Sequence, residues 1–361
     1  MPRVEVIIPV HSERRPLARA LESVLEPSAC HDVHVTVVCH NIDAGRITGA
    51  LGMEPPPGRV AFVEFQDGIH SPAGPKNFGI ESTDSEFLTV LDSDDHLEHG
   101  ALTVWLQAAV EHGAGIVAPR LIDDLGRRIR TPRSRWRREH ALDPAKDGLA
   151  YATAPRGLWR RSVLDSIGER YTPELRTGED LSLGLRLWFS GTRIEHPGRG
   201  AYILTSDGAD RVTAQPWSVR EQLAPLLLLE VAWLDGLETR ARVSIASKLW
   251  RINVLGAALA HRDAADFPTT DDLRAFREVG EFLGGLAPLS RLPLSVAEQM
   301  LASALKRAES ADDVLAGIQG FRTSSVLKKA LTANPLLVGA GDGPLRSVIR
   351  ARLPESGQPV R

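Results

Sequence analysis

The chain has 361 residues, a formal net charge of −3, and a composition that is 43% hydrophobic and 25% charged. That balance is ordinary for a globular protein with room for two domains, and it excludes a nucleic-acid binder that works by bulk positive charge. Cys30 and Cys39 make neither a disulfide framework nor a metal-binding spacing, so a reduced setting is expected.

Val4–Val10 is an apolar run that reads as a buried first strand. It is too short, and runs too soon into charged residues, to act as a signal peptide, so a cytoplasmic protein is expected. Residues 15–25 place Leu17, Ala18, Leu21, Val24 and Leu25 at helical spacing, and residues 33–38 and 60–65 read as further strands. Such alternation predicts a parallel sheet with a ligand site along its carboxyl edge. No glycine-rich phosphate loop appears, which leaves phosphate binding to a metal ion and scattered basic groups.

Residues 87–91 form another short apolar run, and it ends in Asp92, Ser93, Asp94 and Asp95. Clustered hard oxygen ligands suit Mg²⁺ or Mn²⁺ gripping a phosphate. The plain alternative is an Asp-rich turn in which Asp95 caps a helix starting near Leu97. Residues 100–112 predict a helix and residues 115–119 a strand.

Seven arginines crowd residues 127–138, with Trp136 among them. This segment reads either as a solvated loop or as an electropositive lip for a phosphate-bearing acceptor. Trp159 either fills the core or offers a flat face to a sugar. Glu179 and Asp180 stand where a helix begins, a common place for a mere cap. Residues 193–204 predict a closing pair of strands, in which His196 reads as structural, and a polar loop spans 205–211.

From residue 215 the pattern turns helical, with amphipathic spans at 218–238, 243–261, 270–284, 295–309 and 311–319. No chemical motif falls there. Residues 223–237 are interrupted by Pro225, Glu230 and Asp235 and cannot span a bilayer.

Four features in order, the Val-Glu-Val-Ile-Ile-Pro strand, Lys76-Asn77-Phe78-Gly79, Asp92-Ser93-Asp94 and Glu179-Asp180, resemble the motifs of family 2 of the GT-A glycosyltransferases. Residues 70–95 look most like the enzymes that glycosylate the poly(ribitol phosphate) of wall teichoic acid. The resemblance implies an α/β, Rossmann-like GT-A catalytic domain with a mixed, mostly parallel sheet over residues 1–215. It leaves residues 216–333 as an all-α domain that holds the acceptor or builds a homo-oligomer, and 334–361 as a loop-like tail. The activity it implies is inverting sugar transfer from a nucleoside-diphosphate sugar, UDP by family default. The acceptor is a hydroxyl group, either on a glycan or on a phosphate-bearing envelope polymer met at the inner face of the membrane.

Carried over by position, Pro9, His11, Glu13, His40, Asn41, Lys76, Asn77, Asp92, Ser93 and Arg211 would bind the donor. Asp92 and Asp94 would hold Mn²⁺ or Mg²⁺. Asp180 would be the general base and Glu179 would position hydroxyls, while Trp159, Arg133 and Arg135 would meet the acceptor. Two departures stand out. Cys39-His40-Asn41-Ile42-Asp43 lacks the family's Asp that accepts the uracil N3–H, so neutral His40 or the Asn41 amide oxygen must accept it, or Asp43 turn inward. Lys76 replaces the usual Arg, which keeps the charge and loses the bidentate fork.

Two rival readings remain. A sugar-nucleotide pyrophosphorylase needs a glycine-rich basic loop after the first strand, which residues 11–15 lack. A non-catalytic nucleotide-sugar-binding scaffold has no use for two separated acidic sites.

Overall fold

The computed structural model describes residues 4–25, 33–129, 139–206, 217–261, 267–337 and 343–344. The chain divides into two compact units, Met1–Asp143 with Ala152–Gln215, and Pro144–Tyr151 with Pro216–Arg361. Arg133, Arg135 and Arg211 lie outside the described residues, as does most of the 334–361 tail.

The first unit is built on a seven-stranded sheet. Its strands in chain order are β1 (Val4–Val10), β2 (Val33–His40), β3 (Val60–Phe65), β4 (Phe87–Val90), β6 (Ile116–Val117), β9 (Leu158–Arg160) and β10 (Ile194–Glu195). Across the sheet they run β3-β2-β1-β4-β9-β6-β10. Only β9 is antiparallel to its neighbours, β4 and β6; the remaining pairs are parallel. The Val- and Ile-rich β1 and β2 are buried on both faces, as central parallel strands require. Helix α1 (Leu17–Leu25) presses Leu17, Ala20, Leu21 and Val24 onto the core.

Helix α3 (Ala73–Glu81) lies close against β1. A Cβ at Gly79 would fall 2.4 Å from Ile7 Cγ2, so only glycine allows this approach. Helices α2 (Ala44–Ala50), α4 (Ala101–Glu111), α5 (Arg161–Ile167) and α6 (Leu181–Trp188) complete the unit.

A second, four-stranded sheet joins β5 (His96–Leu97), β11 (Tyr202–Leu204), β7 (Leu121–Asp123) and β8 (Arg128–Ile129), in that order. It corrects two expectations. The helix expected near Leu97 starts at Ala101, after Gly100 at φ 73°, because His96 and Leu97 pair as a strand with Ile203 and Tyr202. The two strands of residues 193–204 do not pair with each other: β10 forms the edge of the large sheet and β11 belongs to the small one. Trp159 is likewise settled as core. It is fully buried on β9 between Leu88 and Ile116 and offers no face to an acceptor.

The second unit is helical, comprising α7 (Val219–Leu227), α8 (Val231–Asp235), α9 (Thr239–Lys248), α10 (Leu255–His261), α11 (Thr270–Leu286), α12 (Val296–Arg307), α13 (Ala311–Thr323) and α14 (Val326–Ala330). The expected 218–238 helix is two helices, parted at Leu228–Glu230. The expected 243–261 helix contains a π-helical stretch over Leu249–Val254. A short 3₁₀ turn at Leu149–Tyr151 packs against α9. Among the described residues no helix is long and apolar enough to cross a membrane.

Candidate active site

The strand order 3-2-1-4 reverses direction between β1 and β4, the place where open α/β sheets bind ligands beyond their carboxyl ends. The Asp triplet emerges from this crevice. Leu91 N–H still donates to the Ile7 carbonyl at 2.9 Å, and the turn then closes with Asp95 N–H on the Asp92 carbonyl at 2.9 Å.

Cations converge on this turn from three elements. Arg15, just before α1, reaches Asp94 Oδ1 at 2.8 Å and Ser93 Oγ at 3.2 Å. Lys76 on α3 is buried, with Nζ 3.1 Å from Glu179 Oε1 and 3.5 Å from Asp92 Oδ1. It also sits over the Tyr171 ring, 5.0 Å from its centre. Arg156 lies 3.6 Å from Asp92 Oδ2 and stacks over Tyr202 at 5.2 Å. The Tyr202 hydroxyl in turn accepts the Asp92 N–H at 3.2 Å. Lys76 therefore ties the two acidic motifs together through side chains 103 residues apart in the chain.

Electrostatics follow from this crowding. Burial opposes the charge on Lys76, but Asp92 and Glu179 overcome it and hold the ammonium well above its ordinary pKa. For Asp92, burial is likewise outweighed, here by Lys76, Arg156 and Arg15, and the carboxylate is held low. Asp95 goes the other way: burial and the negative charge of Asp92 push it up to about 7, although it accepts the Thr205 N–H at 2.9 Å. Carboxyl groups Asp92, Asp94, Asp95 and Glu179 thus face the cations Arg15, Lys76 and Arg156, and the Arg19 guanidinium also donates to the Asp94 carbonyl oxygen. A hard divalent ion fits such a donor set, because Asp92 and Asp94 offer it carboxylate oxygens. Among the described residues, Nη1 of Arg15 and Nε of Arg156 are buried without a hydrogen-bond partner in the protein.

Asp180 is the N-cap residue of α6, yet its side chain makes no cap hydrogen bond. Glu169, from the preceding loop, accepts from the Ser182 hydroxyl at 3.0 Å and forms an ion pair with Arg186 at 2.8 Å. Gly157, beside Arg156, adopts φ 117° with its α-carbon against the Val117 carbonyl, a conformation and space open only to glycine.

No known family model matches the chain. It is 29% identical over 126 residues to the GalNAc(5)-diNAcBac-PP-undecaprenol beta-1,3-glucosyltransferase of Campylobacter jejuni, covering 35% of this chain and 40% of that one. Over 185 residues it is 22% identical to the poly(ribitol-phosphate) beta-N-acetylglucosaminyltransferase TarP of Staphylococcus aureus, covering 50% and 55%. Over 212 residues it is 29% identical to the succinoglycan biosynthesis protein ExoU of Rhizobium meliloti, covering 53% and 58%. The chain spans about half the length of the curated relatives it matches. Among solved structures, residues 1–349 of S. aureus TarS in complex with UDP-GlcNAc superpose with a TM-score of 0.72 at 16% identity, covering 89% of this chain and 91% of TarS 1–349. The same TarS fragment without that ligand gives 0.69 at 17% identity, again covering 89% and 91%.

The fold is that of the GT-A glycosyltransferases.

Within the GT-A unit, the residues expected to bind donor separate into three groups. Lys76, Asp92, Ser93, Asp94 and Glu179 come together at the switch point, with Asp180 beside Glu179. His40 and Asn41 lie at the end of β2, where Asp67 gathers them: its Oδ1 takes His40 Nε2 at 2.9 Å and Asn41 Nδ2 at 3.3 Å. Asn41 adopts φ 54°, and its amide oxygen accepts the N–H groups of Asp67 and Gly68. The base-acceptor role expected of that oxygen is therefore already taken by the backbone, and the carboxylate beside His40 and Asn41 is Asp67. Asp43 does not turn inward; it caps α2 by accepting the Arg46 N–H at 3.0 Å.

The third group is peripheral or structural. Glu13 pairs with Arg46 at 2.8 Å on the surface, and His11 is exposed after β1, whose penultimate residue is Pro9. Asn77 uses both ends of its amide on the Tyr171 backbone, at 2.9 and 3.0 Å, so it shapes the site wall. His196 is buried with Nδ1 2.7 Å from the Ala118 carbonyl oxygen.

Arg15, Asp67 and Arg156 escaped the sequence reading. A basic residue directly after the first strand's loop was the available signal for Arg15. A lone Arg before a glycine gave none for Arg156.

Proposed function

We propose that this chain moves a sugar from a nucleoside-diphosphate sugar to a hydroxyl acceptor with inversion at the anomeric carbon. The observation that carries this is Lys76, which bridges Asp92 at the carboxyl end of β4 to Glu179 at the mouth of α6. One cation thereby fixes a phosphate-facing group and a sugar-facing group at one crevice.

The division of labour follows from the charges. Arg15 and Arg156 carry N–H groups with no partner in the protein, and guanidinium forks suit phosphate oxygens. They would bind the diphosphate and take up the charge that develops as it leaves. Asp92 and Asp94 would hold Mg²⁺ or Mn²⁺, which when bound polarises the phosphate oxygens. Ser93, bonded to Arg15, orders the turn between them. Asp180, at the start of α6 beside Glu179, would accept the proton of the attacking hydroxyl, and Glu179, held by Lys76, would orient sugar hydroxyls. Asp67 with His40 would read the base.

UDP-GlcNAc bound to TarS supports a uridine donor, and TarP and TarS support an acceptor of the polyol-phosphate class. The helical unit is proposed to present that acceptor, at the inner face of the membrane for an envelope polymer.

Asp180→Asn should lower turnover by roughly 10²–10⁴ while leaving nucleotide binding intact. Release of nucleoside diphosphate from UDP-GlcNAc and UDP-induced thermal shift are the two readouts. Turnover at the parent rate would remove Asp180 from the base role.

A further inference from the structure

A second cluster of ligating side chains lies at the far edge of the large sheet. His112 follows α4, Glu195 is the last residue of β10, and His140 lies 28 residues after His112 in the chain. Their ligand atoms all fall within 4.8 Å of one another. His140 Nδ1 is 2.6 Å from Glu195 Oε2, and the His112 and His140 rings are 4.9 Å apart. Strands β9 and β6 separate β10 from β4, which puts about 14 Å of sheet between this cluster and the Asp triplet.

Glu195 has the environment of a prepared ligand. Its side chain is 1% exposed, while that of His140 is 62% exposed. The other carboxylate oxygen, Oε1, is held by Arg193 Nε at 2.8 Å and by the Ala141 N–H at 3.1 Å. Ala141 takes a left-handed φ of 47°, the conformation in which it delivers that N–H. Burial alone would raise the Glu195 pKa, but the bonds from His140, Ala141 and Arg193 outweigh it and keep the group ionised. Oε2 is left facing the two imidazoles. Hydrogen bonds that fix a ligating carboxylate in this way are the usual outer shell of a metal site.

We propose that His112, His140 and Glu195 bind one Zn²⁺ through three protein ligands and leave one coordination position open. Two imidazoles and a carboxylate form a donor set that zinc takes and that Mg²⁺ does not favour. Tetrahedral zinc brings its ligand atoms to about 3.4 Å from one another. The His112 and His140 side chains, both exposed, are the ones that would turn to close the remaining distance. The ion would staple the end of α4, the edge strand β10 and the chain entering at residue 139.

The test uses the full chain stripped with EDTA, titrated with Zn²⁺ against a chromophoric chelator near neutral pH and then melted with and without the metal. One Zn²⁺ per chain is expected, with a rise in melting temperature. His112→Ala and His140→Ala should each weaken binding at least tenfold and abolish that rise. Both side chains are exposed, so these variants should fold. Asp94→Asn should leave this zinc affinity unchanged, which separates the site from the carboxylate cluster. Parent affinity in both histidine variants would overturn the proposal, and so would a loss of zinc confined to Asp94→Asn.

Discussion

The two units treat buried charge in opposite ways. In the helical unit, Arg251 on the π-helical stretch is satisfied on all sides. It meets Glu298 at 2.8 and 3.2 Å, the Tyr151 hydroxyl at 2.5 Å and the Pro293 carbonyl at 3.2 Å. In the sheet unit, three carboxyls crowd one turn at the switch point, and burial beside Asp92 pushes Asp95 up to about 7. The difference teaches that burial of charge does not mark a site. Like charges crowded at strand ends, closely enough to shift a pKa, do.

Lys76→Met should have the largest effect, because it leaves Asp92 and Glu179 without their shared cation. A loss of about 3–5 kcal/mol in the ligand-free protein is expected, together with loss of nucleotide binding. Urea unfolding and a UDP thermal shift would show both. If nucleotide binding survived, the comparison would fail at its centre.

Arg251→Met should cost a similar or smaller amount, about 3 kcal/mol, by stranding Glu298. Donor hydrolysis per folded molecule should stay at the parent level. A specific loss of turnover would mean that the helical unit also carries chemistry.

The smallest effect belongs to Asp67→Asn. Burial tends to raise the Asp67 pKa, but bonds from Ile69 N–H, His40 and Asn41 hold it below the ordinary carboxylate range. A depressed carboxyl contributes stability that is complete above its unfolded pKa of about 3.9 and fades as pH falls through the lower, folded value. The variant should therefore lose under about 1 kcal/mol at neutral pH and show a flatter acid limb below about pH 4. A melting-temperature profile across that range would read it, and an unchanged slope would remove Asp67 from the acid response.

Much of this was legible in the chain. The apolar runs of β1, β2 and β4 announced the parallel core, and carboxylates directly after β4 announced the crevice. What escaped has a physical reason. Strands such as β5 and β10 have two residues each, too few for any alternation to show, so the small sheet and the edge strand were misread. Arg156 and Asp67 act through neighbours far away in the chain. Nothing local distinguishes them from any loop arginine or aspartate. Trp159 illustrates the reverse case: a residue that looks made for sugar stacking is used to fill the sheet.

The turn at Leu149–Tyr151 lends its three buried residues to the helical unit, although the chain on either side belongs to the sheet. The chain therefore crosses the boundary three times, and the units are interleaved rather than strung in tandem. A single genetic junction at residue 215 could not exchange the helical unit for another. The recombined protein would keep an orphaned Tyr151, and the incoming helices would meet an octapeptide shaped for different partners. Lineages carrying this arrangement should trade both segments together or neither.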